Sequence, residues 1–210
     1  MKKIAVITAA VSLTAFGQVA MAFGLPEIPG VSSVAATKDV NAGQLVKQLN
    51  DSLFNLTTAQ QNIFEAFGLK QDAEQAASNA KVFQTGNSTD AAVIEKTGTA
   101  DAKILELIDK KEKLSEEGKK KLVQALPYYG KGLVSSAGLG AQLAQAATTI
   151  SANPMSVASG PFKATDLITV FTSSPELLTK IVSTGHKFIT YSSDNGIDTS
   201  EVESSLKDIK

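Results

Sequence analysis

Apolar side chains recur along most of this chain at steps of three and four, the spacing that gathers them on one side of a helix. The longest series is Leu49, Leu53, Leu56, Ile63 and Phe67, with Gln60 in the one heptad position that is not apolar. Asn41 stands ahead of it and Gln44 follows three residues later, a capping-box spacing. This predicts a helix of about seven turns ending near Gly68. Residues 71–83 predict a shorter, alanine-rich helix, broken by Gly86, Asn87 and Ser88. Residues 90–96 carry a further turn or two, stopped by Gly98, and 99–114 predict a clearer helix. Its apolar face is Ile104, Leu105, Leu107 and Ile108, while Lys103, Glu106, Lys110, Lys111 and Glu112 stay in water.

Ser115 ahead of Glu116 and Glu117 marks the next start, a capping hydroxyl followed by carboxylates where the helix dipole favours them. The element that follows runs over 116–152. Pro127 predicts a kink or break in it, because proline lacks an N–H and crowds the preceding turn. Residues 165–171 predict a short apolar helix. Ser174-Pro175-Glu176 reads as a new helix start, with an element reaching about Ser192. Asp194-Asn195-Gly196 is a turn, and Asp198 with Glu201 suits a capping box before a short polar helix. Alternation of β-branched and polar residues persists nowhere. The expected fold is all-α: an irregular bundle of five to seven helices around a central apolar, small-residue-rich helix, in one domain over 39–210.

That central helix is expected over 122–150, where Lys131 is the one charged side chain. Gly132, Ser136, Gly140 and Ala144 lie four apart, which stacks them along one ridge of a helix and lets a neighbour approach closely. On this reading a leucine at Gly140 overpacks the crossing. Two fates are open to such a segment: the core of a soluble bundle, or a latent membrane-active helix. Lys131 alone would cost about 2.5–3.5 kcal/mol at mid-membrane, against about 0.3–0.6 gained per leucine or valine, which favours the soluble core. Tyr128 and Tyr129, just after Pro127, offer apolar area with a polar tip. With the small-residue ridge they are the candidate partner or helix-contact residues.

The first residues carry a different pattern. Lys2 and Lys3 precede an uncharged, mostly apolar run over 4–16, then Gly17, then the small-x-small triplet Ala20-Met21-Ala22. These are the three parts of a cleavable signal peptide, expected over 1–22. The run is about half the length a spanning helix needs. Residues 23–38, with Pro26, Pro29 and Gly30, are expected to be a flexible leader. The expected destination is the bacterial periplasm or the medium.

Composition then narrows the chemistry. Loss of Lys2 and Lys3 takes the formal net charge from −1 to −3, a poor basis for binding nucleic acid. The chain has no cysteine, so disulfides, thiol catalysis and cysteine metal sites are excluded. His186 is the single histidine, on a helix pattern beside Phe188 and Ile189, and reads as a surface or half-buried side chain. Asp194 to Asp198 lacks the ligand spacing of a calcium loop. The glycines at 130, 132, 138 and 140 are not followed by the lysine and hydroxyl of a phosphate loop. Lys119, Lys120 and Lys121 wrap around a helix, as a solvated run does, with weak contact to anionic headgroups as the alternative. No catalytic residue, cofactor or metal is expected. The function expected is that of an exported, non-enzymatic envelope protein that binds a macromolecule, either a protein partner or a membrane surface. The alternatives are a membrane-interacting or pore-forming helical protein using 122–150, and an enzyme built on carboxylates and lysines alone.

Overall fold

Asn41 opens the first helix, α1 (Ala42–Ala66), by accepting the Gln44 backbone N–H at 3.1 Å. Gln44 does not close the box on the Asn41 N–H; its side-chain oxygen takes a hydrogen bond from the Asn41 amide instead. The computed structural model describes residues 40–157 and 160–207. The expected signal peptide, 1–22, and leader, 23–38, lie outside the described residues. The fold is all-α, with seven α-helices and no strand among the described residues. After α1 come α2 (Lys70–Phe83), α3 (Ala91–Asp109), α4 (Glu116–Ser136), α5 (Leu139–Ala152), a 3-10 turn at Pro154–Val157, α6 (Ala164–Asp194) and α7 (Ser200–Lys207). All described residues belong to one unit, Ala35–Lys210.

The helix that other helices surround is α1. It packs against α2, α3, α4 and α5, most extensively against α4. Val46, Leu49, Leu53, Leu56, Ala59 and Ile63 are fully buried along it. Gln60, the polar member of that stripe, is buried too, and its amide donates to the Thr97 carbonyl of α3 at 3.0 Å. The amide nitrogen thus finds a partner, while the buried Gln60 Oε1 has none among the described residues. The α1–α4 crossing is antiparallel: Gly118 lies against the end of α1 at Ala66, and Gly132 against Leu56. Asn50 on α1 clamps the loop before α3, accepting from the Ser88 N–H and donating to the Ser88 carbonyl.

Four sequence expectations are corrected. First, Gly98 does not stop a helix; α3 runs through it as one element. A Cβ at Gly98 would sit 2.7 Å from Leu177 Cδ1, so the glycine marks a close approach of α3 and α6, not a break. The same helix stops at Asp109, short of Leu114, and Lys111 takes a positive φ in the turn that follows. Second, Pro127 does not break the helix: of the expected kink or break, the break is absent, and Pro127 lies inside α4 at an exposed position where the carbonyl it frees can meet water. Third, the segment 122–150 is not one helix. It breaks after Ala137, where Gly138 takes φ 73 as the residue before α5. Fourth, Pro175 does not start a helix; 164–194 is one helix of 31 residues, with Pro175 inside it. Its neighbour Ser174 is fully buried, and its hydroxyl has no partner among the described residues.

The break at Gly138 depends on a backbone conformation that side chains with a Cβ resist. Nothing lies within 4 Å of a Cβ built there, so the strain of the left-handed backbone is isolated from any clash. Gly138→Ala is expected to lower stability by about 1–2 kcal/mol, read as a shift in the urea midpoint at unchanged slope. A variant as stable as wild type would show that the α4–α5 turn does not need the left-handed geometry.

Candidate functional site

Three buried polar side chains, Asp101, Tyr129 and Thr184, meet at one junction of the bundle. Asp101 on α3 is 3% exposed, at a position that continues the core series Ile94, Thr97, Ile104 and Ile108. Tyr129 on α4 is fully buried, and its hydroxyl donates to Asp101 Oδ1 at 3.0 Å. Thr184 on α6 is also buried, and its hydroxyl favours the charged carboxylate, although Tyr129 makes the bond of full geometry. Phe188 of α6 stacks at a tilt on Tyr129, ring centres 4.9 Å apart. Gly185 lets this happen: a Cβ there would lie 2.6 Å from Leu133 Cδ1 and 3.1 Å from Tyr129 Cε1.

Burial raises the Asp101 carboxyl from the usual 3.8 to about 6, against the lowering effects of Thr184 and Tyr129. Burial, with the neighbouring Asp101 charge, likewise pushes the Tyr129 phenol well above its usual value. Chemically, the arrangement holds or releases one proton in a buried interior. The sequence contained a signal for it that the apolar reading passed over: Asp101 is the one acid at steps of three and four within the α3 face.

The sequence-derived candidates divide. Gly132 and Ser136 face α1, where the Ser52 and Ser136 hydroxyls are 2.7 Å apart and both reach the Gly132 carbonyl. Gly140 is half-buried on α5 beside Pro175 of α6. Ala144 is exposed. The break at Gly138 separates these two pairs, so the four residues form no single ridge. The tyrosines divide as well: Tyr129 points into the core and Tyr128 is 39% exposed. His186 is exposed, as a surface side chain on α6. Lys119, Lys120 and Lys121 each pair with a glutamate: Glu116, Glu117 and Glu65. The Lys121 pair holds the Glu65 carboxyl below its usual range.

A hollow of about 180 Å³ opens between the start of α1 and residues 156–157 and 160–162, with Val157, Phe162 and Leu167 among its walls. It is smaller than the roughly 300–1,000 Å³ that hold drug-sized ligands. Among the described residues, no helix is long and apolar enough to cross a membrane, and no three His, Cys, Asp or Glu side chains are grouped to hold a metal. Comparison with family models, with curated proteins and with solved structures finds no match.

Proposed function

We propose that this chain is an exported, non-enzymatic protein of the bacterial envelope that docks a macromolecular partner on the outer side of α4 and α5. The observation that carries this reading is where large apolar side chains reach water. Val123 is 54% exposed, Tyr128 39%, Val134 43% and Met155 76%, and all four fall within α4 or just after α5. Val123, Pro127 and Val134 follow steps of four and seven, which places them on one side of α4 beside Tyr128. The exposed positions of α5 are Ala141, Gln142, Ala144, Gln145, Thr148, Ser151 and Ala152, none of them charged. From Leu122 to Phe162, Lys131 is the only charged residue. Elsewhere the surface is laced with ion pairs, such as Lys47–Asp51, Lys103–Asp72 and Lys180–Glu176. Interface centres are depleted in charge and enriched in tyrosine and methionine, because uncharged surface loses little when water leaves it. Export rests on the three-part pattern of residues 1–22.

The experiment is site-specific photo-crosslinking in cells. A photoreactive side chain at position 128 or 134 is expected to capture one discrete adduct in the envelope fraction. The same group at Glu95, exposed on α3, is expected to capture none. Val123→Glu with Val134→Glu should abolish the adduct while leaving the urea midpoint within about 0.5 kcal/mol. Protein recovered from the periplasm should have the mass of residues 23–210. Equal capture from positions 128 and 95, or capture of lipid alone, would overturn the protein-partner reading, the second outcome in favour of the membrane-surface alternative.

A further inference from the structure

We propose that Asp101, Tyr129 and Thr184 form a proton-linked latch at the junction of α3, α4 and α6, closed when the carboxyl carries a proton and loosened when it is ionised. The geometry requires some such coupling. Asp101 sits in the core with neutral partners: a phenol from α4 and a hydroxyl from α6. A buried carboxylate without a cation is disfavoured, and hydrogen bonds from neutral donors offset only part of that. A protonated carboxyl still accepts from Tyr129, and its own O–H can be taken by the Thr184 hydroxyl oxygen. One proton therefore completes the hydrogen bonding of three helices that have no backbone bonds to one another.

The charged groups on the surrounding elements are either paired with one another or exposed to solvent. On α2, Asp72 pairs with Lys103 of α3. On α6, Lys187 pairs with Asp109 of α3, and Lys180 with Glu176. On α1, Lys47 pairs with Asp51, and Glu65 with Lys121 of α4. On α4, Lys131 is exposed, as is His186 on α6. The groups that reach the Asp101 carboxyl are thus Tyr129 and Thr184.

The direction of the effect follows from the raised carboxyl. The folded state binds the proton more tightly than the unfolded state. The stabilisation is complete below about pH 4 and is lost as pH rises to about 6 and beyond. The difference between 3.8 and about 6 corresponds to roughly a hundred-fold in the folding equilibrium. Glu65, Glu176 and Asp198 act in the opposite sense: Lys121, Lys180 and Ser200 respectively hold them below their usual range. Their contribution falls away toward acid, from 4.5 downward for the two glutamates and from 3.8 downward for Asp198, at and below the acid end of the Asp101 window.

The test compares wild type with Asp101→Asn, which keeps the shape and a hydrogen-bonding amide but cannot ionise. Urea midpoints are measured from pH 4.5 to 8. Wild type is expected to be most stable near pH 5, with its folding equilibrium weakening about ten-fold toward pH 8. Asp101→Asn is expected to be flat over that range and to exceed wild type at pH 8. Parallel profiles for the two proteins overturn the proposal, since any titration other than that of Asp101 is common to both. A second measurement does not depend on the variant folding. The carbon-13 shift of the Asp101 carboxyl in wild type should titrate near pH 6, and a midpoint near 4 overturns the latch. Hydrogen exchange places the loosening: amides of α3, corrected for intrinsic rate, should exchange faster at pH 8 than at pH 5 in wild type alone.

Discussion

Tyr129→Ala is expected to lower the stability of the bundle by about 3–5 kcal/mol, while Tyr128→Ala stays within about 0.5 kcal/mol of wild type. Adjacent in sequence, the two tyrosines differ in everything that determines stability. Tyr129 has no exposed surface, stacks on Phe188 and donates to the buried Asp101. Its removal opens a cavity where α3, α4 and α6 meet and deprives a buried carboxyl of its donor, so two costs fall on one site. Tyr128 is 39% exposed. Tyr129→Phe separates the two costs: the ring and its packing remain, the hydrogen bond is lost, and about 1–2 kcal/mol is expected to go with it. Urea unfolding at pH 7 checks the series. Equal losses from the two alanine variants would refute the placement of Tyr129 in the core.

Gly132→Leu is expected to be the most damaging change in the small-residue segment, by about 3 kcal/mol or more, whereas Gly140→Ala should be neutral or stabilising by up to about 1 kcal/mol. A Cβ at Gly132 would lie 2.6 Å from Leu56 Cγ and 3.2 Å from the Leu56 backbone nitrogen, in the antiparallel crossing of α1 and α4. Neither atom is the free end of a flexible chain, so the helices must separate. Separation also breaks the contact of Ser52 with Ser136 and the Gly132 carbonyl. At Gly140 a Cβ would meet Pro175 at 3.5–3.8 Å, an ordinary contact, and helix propensity then favours alanine. The expectation drawn from four-residue spacing, that Gly140 itself sits in the tight crossing, is corrected to Gly132. A double variant tests the cause. Leu56→Ala should relieve Gly132→Ala, leaving a combined loss at least about 1 kcal/mol smaller than the sum of the two single losses. Strict additivity would mean that Gly132 is not held by Leu56.

Both predictions turn on the same question of what local pattern can reveal. The period of the apolar residues determined the all-α class and the position of α1, because burial of a stripe at steps of three and four is itself the reason a helix forms there. Asn41, Ser115 and Asp90 lie at helix starts, each accepting backbone N–H groups of the first turn. That too is legible locally, since a cap satisfies donors only two or three residues away. The low charge of residues 122–150 was equally plain from composition.

Where helices end, and which residues meet, was decided by tertiary structure. Gly98 read as a stop because glycine weakens a helix in isolation, and Pro175 as a start because proline suits a helix's first position. In the fold, Gly98 admits Leu177 and α6 continues through Pro175, since packing along the whole of a long helix outweighs one unfavourable position. Gly138 carried no stronger signal than its neighbours, yet it is the residue that takes the left-handed backbone and divides the apolar segment in two. Spacing could state that Gly132, Ser136, Gly140 and Ala144 would share a ridge if one helix held them, but not that a turn would part them. The Asp101 site was the least legible. Its carboxyl stands on α3 and its partners on α4 and α6, tens of residues away in sequence. Period alone could mark Asp101 as an acid on an apolar face, but only the meeting of three helices gives that acid a phenol, a hydroxyl and no cation.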